Sequence, residues 1–430
     1  MMIKRSFIGL TKPLLKYEAL DIKAPKPSVI QPSKKVTLFF NKAFDFTDKI
    51  LFKVGDKVKT GQKLSYNENS DAYVISSVTG TISSIAPFNA DYGKKYTAIT
   101  VDVSENEEID EQFSKFVKEP SIDTVKDYLA VIPGNLPRSL FPSTDTSQPI
   151  ETIVISGVDR DLFITTNQHS VLVDGKAIKF GVQILKQITG IDNIIIVSSD
   201  HLMQDAGLSG AEVRIVNSVY PASLPHMIMR DLLGQVVPAG KSCEDLGVAF
   251  ITAEAVASIG KAFGEGQIPV NKRLNLINKN GSTSLVSTRI GTPISDILKA
   301  FDITLNEKDR LIIGGPMTGS AVYSDDFPVL PDMDAIMVQD RDNIPIVSDY
   351  PCINCGECIR ICPANIPINM LVRFLEAGQY EEAADEYDLY SCIECGLCSF
   401  VCVSKMPVFH YIKLAKYELG RIFTAEATNA

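Results

Sequence analysis

Two copies of one cysteine pattern near the C-terminus constrain this chain more than any other feature. They are Cys352-x2-Cys355-x2-Cys358-x3-Cys362, followed by Pro363, and Cys392-x2-Cys395-x2-Cys398-x3-Cys402. Together they take eight of the nine cysteines. Three thiolates on a tight loop suit three irons of a cubane, and the spacing is that of a pair of [4Fe–4S] clusters. Disulfides need an oxidising compartment, and the N-terminal residues lack the charged, apolar, small-residue order of a secretory signal. Zinc sites pair C-x2-C units at longer spacing without a third Cys three residues on. Gly356 and Gly396 follow the second Cys of each run, where a missing Cβ lets the backbone pass close to the cluster. Pro363 turns the chain out of the first loop. In the second run Val403 takes its place, and Pro407 is expected to do the turning.

The pattern resembles bacterial-type dicluster ferredoxins, in which the fourth Cys of each run ligates the other cluster. The resemblance implies one cluster on Cys352, Cys355, Cys358 and Cys402, and a second on Cys392, Cys395, Cys398 and Cys362. Residues 366–390 between the runs predict two amphipathic helices split at Gly378, with Ile368, Leu371 and Leu375 on one side. A helical insert of this length points to clusters embedded in a larger complex rather than a free shuttle. Cys243 stands alone and reads as an inert buried thiol.

Composition narrows the partners. The chain has 430 residues, 45 % apolar and 22 % charged, as in an ordinary folded protein, with room for about three or four small domains. A net charge of −10 argues against nucleic acid. No run of about 18 apolar residues occurs, so no segment of the sequence is expected to span a membrane. None of His169, His201, His226 and His410 sits at metal-ligand spacing.

The expected organisation is multidomain α/β. Residues 1–34, broken by Pro25, Pro27 and Pro32, are expected to be a loose N-terminal extension; 414–430 are set off as a C-terminal tail, of which 423–430, lacking apolar content, reads as another loose end. Residues 35–105 predict strands at KKVTLFF, AYVISSV, GTISSIA and YTAITVDV. The order Val54-Gly55-Asp56 … Ser77-Val78-x-Gly80 resembles a barrel-sandwich hybrid of the lipoyl type. The hairpin tip Asn69–Tyr73 carries no Lys for a swinging cofactor. Residues 106–266 begin acidic, then Pro- and Ser/Thr-rich, and continue with strands at 151–156, 193–198, 212–216 and 247–252. Helices are expected over 174–188, around 222–234 and over 253–263, giving a parallel α/β sheet with covered faces. No G-x-G-x-x-G follows a strand, so a standard dinucleotide fold is not supported. Residues 267–346 predict strands around one helix, Pro293–Phe301, with Thr292 as N-cap, which suggests a β-grasp (SLBB-like) module. Gly314-Gly315-Pro316-Met317-x-Gly319 lacks a following Lys-Ser/Thr and reads as a turn between strands. Residues 347–413 complete the chain as a helical 2×[4Fe–4S] domain.

This module order resembles the C subunit of the Rnf ion-translocating electron-transport complexes (RnfC) over nearly the whole chain. The barrel and α/β parts also resemble NqrA of the Na+-translocating NADH:quinone reductases. Tyr220-Pro221 with Val236-Val237-Pro238-x-Gly240, and Arg289-x-Gly291-Thr292-Pro293, are the most specific local matches beyond the cysteines. The resemblance implies a peripheral subunit on the cytoplasmic face of the membrane. It would relay single electrons between membrane partners and a ferredoxin or sister Fe–S subunit. It also implies an FMN/NADH site similar to that of complex I, built on a Gly-rich loop and an acidic motif. Here the loop is Leu136–Ser143, keeping Phe141-Pro142 without the glycines, and the acidic motif is Ser156–Phe163. Arg138, Phe141, Gly157, Asp159 and Asp161 are its candidate residues. Arg138 and Leu140 stand where a flat flavin needs glycines, so FMN is expected to be lost and the α/β domain to serve as scaffold. The alternative is an FMN-containing, NADH-oxidising component whose rebuilt pocket uses Arg138 and Arg160 on phosphate.

Overall fold

The computed structural model describes residues 13–429 apart from 21–23, 32–33, 45–48, 69, 91–93, 142–147, 345–346 and 349, with backbone alone over 423–429. Pro32, Asn69, Pro142 and Ser143 of the readings above therefore lie outside the described residues.

The described residues of the N-terminal region, from 13 on, are not a loose end. Strand β1 (Ser28–Val29) adds in parallel to the edge of a sheet more than 250 residues away in sequence, pairing Ser28 with Val286 and Val29 with Ser287. Leu15 and Leu20 are buried, and backbone bonds tie Tyr17 to Ser218 and Tyr220 to Leu15. Apolar side chains at 15 and 20 find a ready surface on the folded body, which the prolines alone do not reveal.

The first barrel follows. It consists of β2 (Lys35–Phe40), β3 (Lys57–Val58), β4 (Lys63–Ser65), β5 (Tyr73–Ile75), β6 (Gly80–Asn89) and β7 (Lys95–Val103). An antiparallel sheet in the order β2-β7-β6-β3 closes over the β4–β5 hairpin. Along β2 the buried residues are Val36, Leu38 and Phe40, alternating with more exposed neighbours as the period of a pleated strand requires.

The acidic stretch after the barrel is more ordered than its composition suggests. It holds helix α1 (Ile122–Leu129), capped by the Ser121 hydroxyl, which accepts from Thr124 N at 3.1 Å, with Val125 and Leu129 in the core. Next come β8 (Thr152–Ser156), α2 (Thr166–Val173), α3 (Gly175–Thr189), β9 (Ile194–Ser198), α4 (Met203–Gly207), β10 (Glu212–Ile215), α5 (Pro225–Asp231), β11 (Val248–Thr252) and α6 (Ala253–Glu265). The four strands form an all-parallel sheet in the order β10-β9-β8-β11. Ile153, Ile155 and Ile196 pack into the core that holds Ile178 and Val182 of α3 and Ile259 of α6. Val154, Ile195 and Val197 point the other way, onto Ile228 and Met229 of α5. Both faces are covered, which is why these strands are continuous apolar runs instead of alternating ones.

The third module comprises β12 (Asn271–Ile277), β13 (Thr283–Arg289), α7 (Ile294–Ala300), β14 (Arg310–Ile313), β15 (Ser320–Val322) and β16 (Ala335–Gln339). Its sheet has the order β1-β13-β12-β16-β14-β15, with β12 and β16 parallel in the middle, and α7 buries Ile294, Ile297 and Leu298 against it. Thr292 does not cap α7. Its hydroxyl donates back to the Arg289 carbonyl at 2.8 Å, and the N-cap position falls to Pro293. The glycine-rich segment 314–319 is the turn between β14 and β15.

The cysteine-rich part contains α8 (Glu357–Ile361), α9 (Ile368–Glu376), α10 (Tyr380–Glu386), α11 (Leu397–Val401) and α12 (Val408–Asn429). The insert splits into α9 and α10 at Gly378, which has φ 71°. Helix α12 runs through the expected boundary at 413/414, and Ala415 and Leu419 are buried among Leu371, Val372 and Leu375 of α9. The expected tail is thus a structural helix that closes this core.

Candidate cluster site at a domain junction

The two cysteine runs fold as a repeat with an offset of 40 residues. Asn354 and Glu394 both have φ 56°, Gly356 and Gly396 φ 75° and 70°, and Asn365 and Lys405 φ 56° and 59°. Matching backbone bonds join Cys362 N to Ile359 O and Cys402 N to Ser399 O, at 3.2 and 3.3 Å. The same offset carries Pro367 onto Pro407, so these two prolines open α9 and α12 in register. Pro407 is therefore the counterpart of Pro367 and does not substitute for Pro363.

The repeat encloses two cavities, and each is lined by four cysteines. Cys352, Cys355, Cys358 and Cys402 border one of them. Cys392, Cys395, Cys398 and Cys362 border the other. In each, the displaced fourth Cys comes from the other run. The thiols surround space rather than converging on a point: among the described residues no group of three or more His, Cys, Asp or Glu side chains is placed to hold a metal ion. No thiol is consumed in a disulfide. Burial pushes the Cys395 thiol up to about 12 and the Cys358 thiol up to about 11, and raises Cys392 and Cys398 as well. A buried thiol of this kind gives up its proton when a metal supplies the compensating charge. Such a donor set, with room between the donors, fits two polynuclear iron–sulfur groups.

The two cavities differ in surroundings. Cys355 of the first loop is exposed, and its neighbours Tyr350 and Ile353 are 78 % and 62 % exposed. Cys395 and Cys398 of the second loop are buried, and this loop is built into the rest of the molecule. Cys395 and Leu397 share a core with Leu15 of the N-terminal strap, Tyr220 and Leu224 of the α/β domain, and Met317 of the glycine-rich turn. The Tyr220 hydroxyl donates to the Cys395 carbonyl at 2.7 Å. A Cβ on Gly396 would fall 2.4 Å from the Met317 carbonyl oxygen, whereas one on Gly356 meets nothing within 4 Å.

The candidate nucleotide residues are spread over several roles. Gly157 follows β8, with its N–H bonded to Val197 O on β9. The buried Asp159 accepts from Asn167 N at 2.8 Å, Thr166 Oγ1 at 3.1 Å and Gln168 Nε2 at 3.1 Å, and burial pushes its carboxyl up to about 6. Asp161 accepts from Thr318 N at 2.8 Å, Thr318 Oγ1 at 2.7 Å and Met317 N at 3.2 Å. It thereby ties the α/β domain to the turn that meets the second cysteine loop. Phe141 is buried in the α/β core, and Arg138 is exposed, as is Arg160. Cys243 is buried, and burial pushes its thiol up to about 12, consistent with an inert packing role. Tyr220, Met317 and the residues of the strap are contributors that sequence reasoning missed. Only the Tyr220-Pro221 match hinted at one of them.

Fold and site together define a dicluster iron–sulfur protein in which a ferredoxin-like repeat is mounted on a β-barrel and an α/β body. Comparison with known proteins agrees. Residues 23–106 match the RnfC barrel sandwich hybrid domain and residues 351–406 the 4Fe-4S dicluster domain. The C subunit of the proton-translocating ferredoxin:NAD(+) oxidoreductase complex of Clostridium ljungdahlii is 28 % identical over 85 % of this chain and 83 % of its own length. The C subunit of the ion-translocating oxidoreductase complex of Methanosarcina acetivorans is 25 % identical over 79 % of this chain and 82 % of its own. Its counterpart in Pectobacterium carotovorum is 26 % identical over 79 % of this chain, which spans about half, 48 %, of that longer relative. This chain is thus a homologue of the C subunits of Rnf complexes. A crystal structure of an NAD+-reducing [NiFe]-hydrogenase aligns with TM-score 0.45 and 14 % identity, covering 72 % of this chain and 65 % of that one. Among the described residues no helix is long and apolar enough to cross a membrane.

Proposed function

We propose that this chain is the peripheral electron-transfer subunit of an Rnf-type, membrane-bound, ion-translocating oxidoreductase. Seated on the cytoplasmic face, it passes single electrons through two [4Fe–4S] clusters between membrane subunits and a ferredoxin or sister Fe–S subunit. The observation that carries this reading is the pair of cavities, each lined by three cysteines of one run and one of the other. Cys352, Cys355, Cys358 and Cys402 would hold one cluster, and Cys392, Cys395, Cys398 and Cys362 the other. When bound, the clusters supply one-electron chemistry. The chain's own residues position them, hold water away from the second and leave the first loop accessible.

Five functional regions follow in this reading. The barrel-sandwich hybrid occupies 35–105, and the α/β domain 106–266. A β-grasp (SLBB-like) module takes 267–346, with its helix crossing a sheet whose two central strands are parallel. The dicluster domain starts at 347, and the extension 1–34 straps the modules together. The strand order of the parallel sheet supports a Rossmann-like label, since β8 lies centrally with its successors β9 and β10 on one side and β11 on the other.

The α/β domain serves as scaffold. Asp159 and Asp161 spend their carboxylate oxygens on protein donors, which leaves them little capacity for a nucleotide. The alternative, a flavin-dependent NADH site, rests on the exposed Arg138 and Arg160. Anaerobic purification decides both points. About eight irons per chain and an EPR signal after dithionite reduction are expected, with no FMN on acid extraction. A colourless, EPR-silent reconstituted protein overturns the cluster reading. A yellow preparation bleached by NADH overturns the scaffold reading.

A further inference from the structure

The two cysteine loops match in thiols and backbone but not in charge. Lys416 on α12 places its ammonium 2.8 Å from the Cys392 carbonyl oxygen and 2.9 Å from Glu394 Oε1, both in the second loop. The 40-residue offset puts Glu376, an exposed acid, at the equivalent place on α9. It puts Asn354 in the place of Glu394, bonded to Asn369 at 2.6 Å. One ammonium therefore stands beside the second cavity, and an acid occupies its position in the first half.

This asymmetry falls on the buried member of the pair. A cubane with four thiolates is anionic and becomes more so when it takes up an electron. Burial consequently makes it harder to reduce, and a nearby cation makes it easier. Hydrogen bonds to sulfur do not separate the two sets, since Glu394 N donates to Cys392 Sγ and Met406 N to Cys402 Sγ, both at 3.4 Å. Cation placement differs between them: Lys416 bonds a carbonyl of the second loop itself, whereas the first half's Arg360 pairs with Glu357 and leaves its guanidinium largely in solvent.

We infer that Lys416 is a potential-setting residue of the second cluster, offsetting the burial of that cluster so that an electron can rest inside the domain junction. Glu394 moderates the effect by partly neutralising the ammonium. The inference rests on the dicluster reading above.

The test is an anaerobic, EPR-monitored redox titration of the full chain carrying K416M, K416R or E394Q, with iron measured on each. K416M lowers one of the two midpoints and leaves the other in place. K416R restores the wild-type value, and E394Q raises the midpoint that K416M lowers. Two midpoints unmoved in K416M, or both moved together, overturn the inference. Should K416M fail to hold iron, E394Q decides, and the absence of a rise overturns it. Wild-type protein without iron would instead defeat the dicluster reading itself, so the two failures are distinguishable.

Discussion

The first and second cysteine loops share left-handed positions, hydrogen-bond pattern and ligand spacing, yet one faces solvent and the other is packed against three other parts of the chain. A short repeated code thus fixes local geometry, while tertiary context gives each copy its task. The first loop, with Cys355, Ile353 and Tyr350 exposed, is the end that, in the proposed function, an external redox partner would approach. The second, between Tyr220, Met317 and Leu15, is the end wired to the body.

Substitution of one thiol in each loop is the strongest way to break this comparison. Cys395→Ala removes iron from the second set and also disturbs the junction core, lowering the thermal midpoint by roughly 5–10 °C. Cys355→Ala removes iron from the first set with little change in the midpoint. Equal melting losses, followed by circular dichroism with iron analysis alongside, would show that burial does not distinguish the loops. Metal removal gives the next contrast. Chelation under mild oxidation should bleach the visible absorbance in two phases, the exposed set first. Cys355→Ala should then lose the fast phase, and a single phase in wild type counts against the assignment.

Smaller effects sharpen the picture. Gly356→Ala meets open space and carries only the left-handed strain of about 1–2 kcal/mol. Gly396→Ala adds a clash with the Met317 carbonyl, for a total of about 3 kcal/mol. Urea titration of both variants measures the gap, and equal destabilisation would place Met317 elsewhere. Tyr220→Phe removes one hydrogen bond to the Cys395 carbonyl at a cost of about 1 kcal/mol. The same change should broaden the EPR signal of the second set alone. An unaltered signal with unaltered stability would mean that the bond does not hold that loop.

Much of the fold was legible because its signals are local. The apolar runs of β8, β9 and β11 announce strands covered on both faces. The Ile178, Val182, Leu185 stripe announces α3, and Gly378 separates α9 from α10. Other elements escaped for physical reasons. Helix α1 lies in an acidic, Pro-bounded stretch and depends on its Ser121 cap and the two buried apolar side chains Val125 and Leu129. Helix α2 buries Thr166, Asn167, Gln168, His169 and Ser170, a polar set with no apolar stripe to betray it. β1 is two residues long and exists only because the β13 edge is there to receive it. Among the candidate site residues, the cysteines were readable because metal-ligand spacing is written along the chain. Asp159 and Asp161 were readable as acids, but their partners at 166–168 and 317–318 were not.

Sequence alone determined that eight thiols stand in two matching runs, and the resemblance to dicluster ferredoxins supplied the expectation that each run lends its fourth cysteine to the other. The apolar patterning likewise pointed to a strand-rich first module, a parallel α/β sheet and helices between the cysteine runs, since period and spacing are properties of neighbours; the barrel came from the resemblance. Only the tertiary structure decided that the second loop is the buried one, that Tyr220 and Met317 hold it, and that Lys416 stands beside it. These contacts join residues up to about 380 positions apart, as Leu15 and Cys395 are, and burial and electrostatic surroundings are fixed only when such distant segments meet.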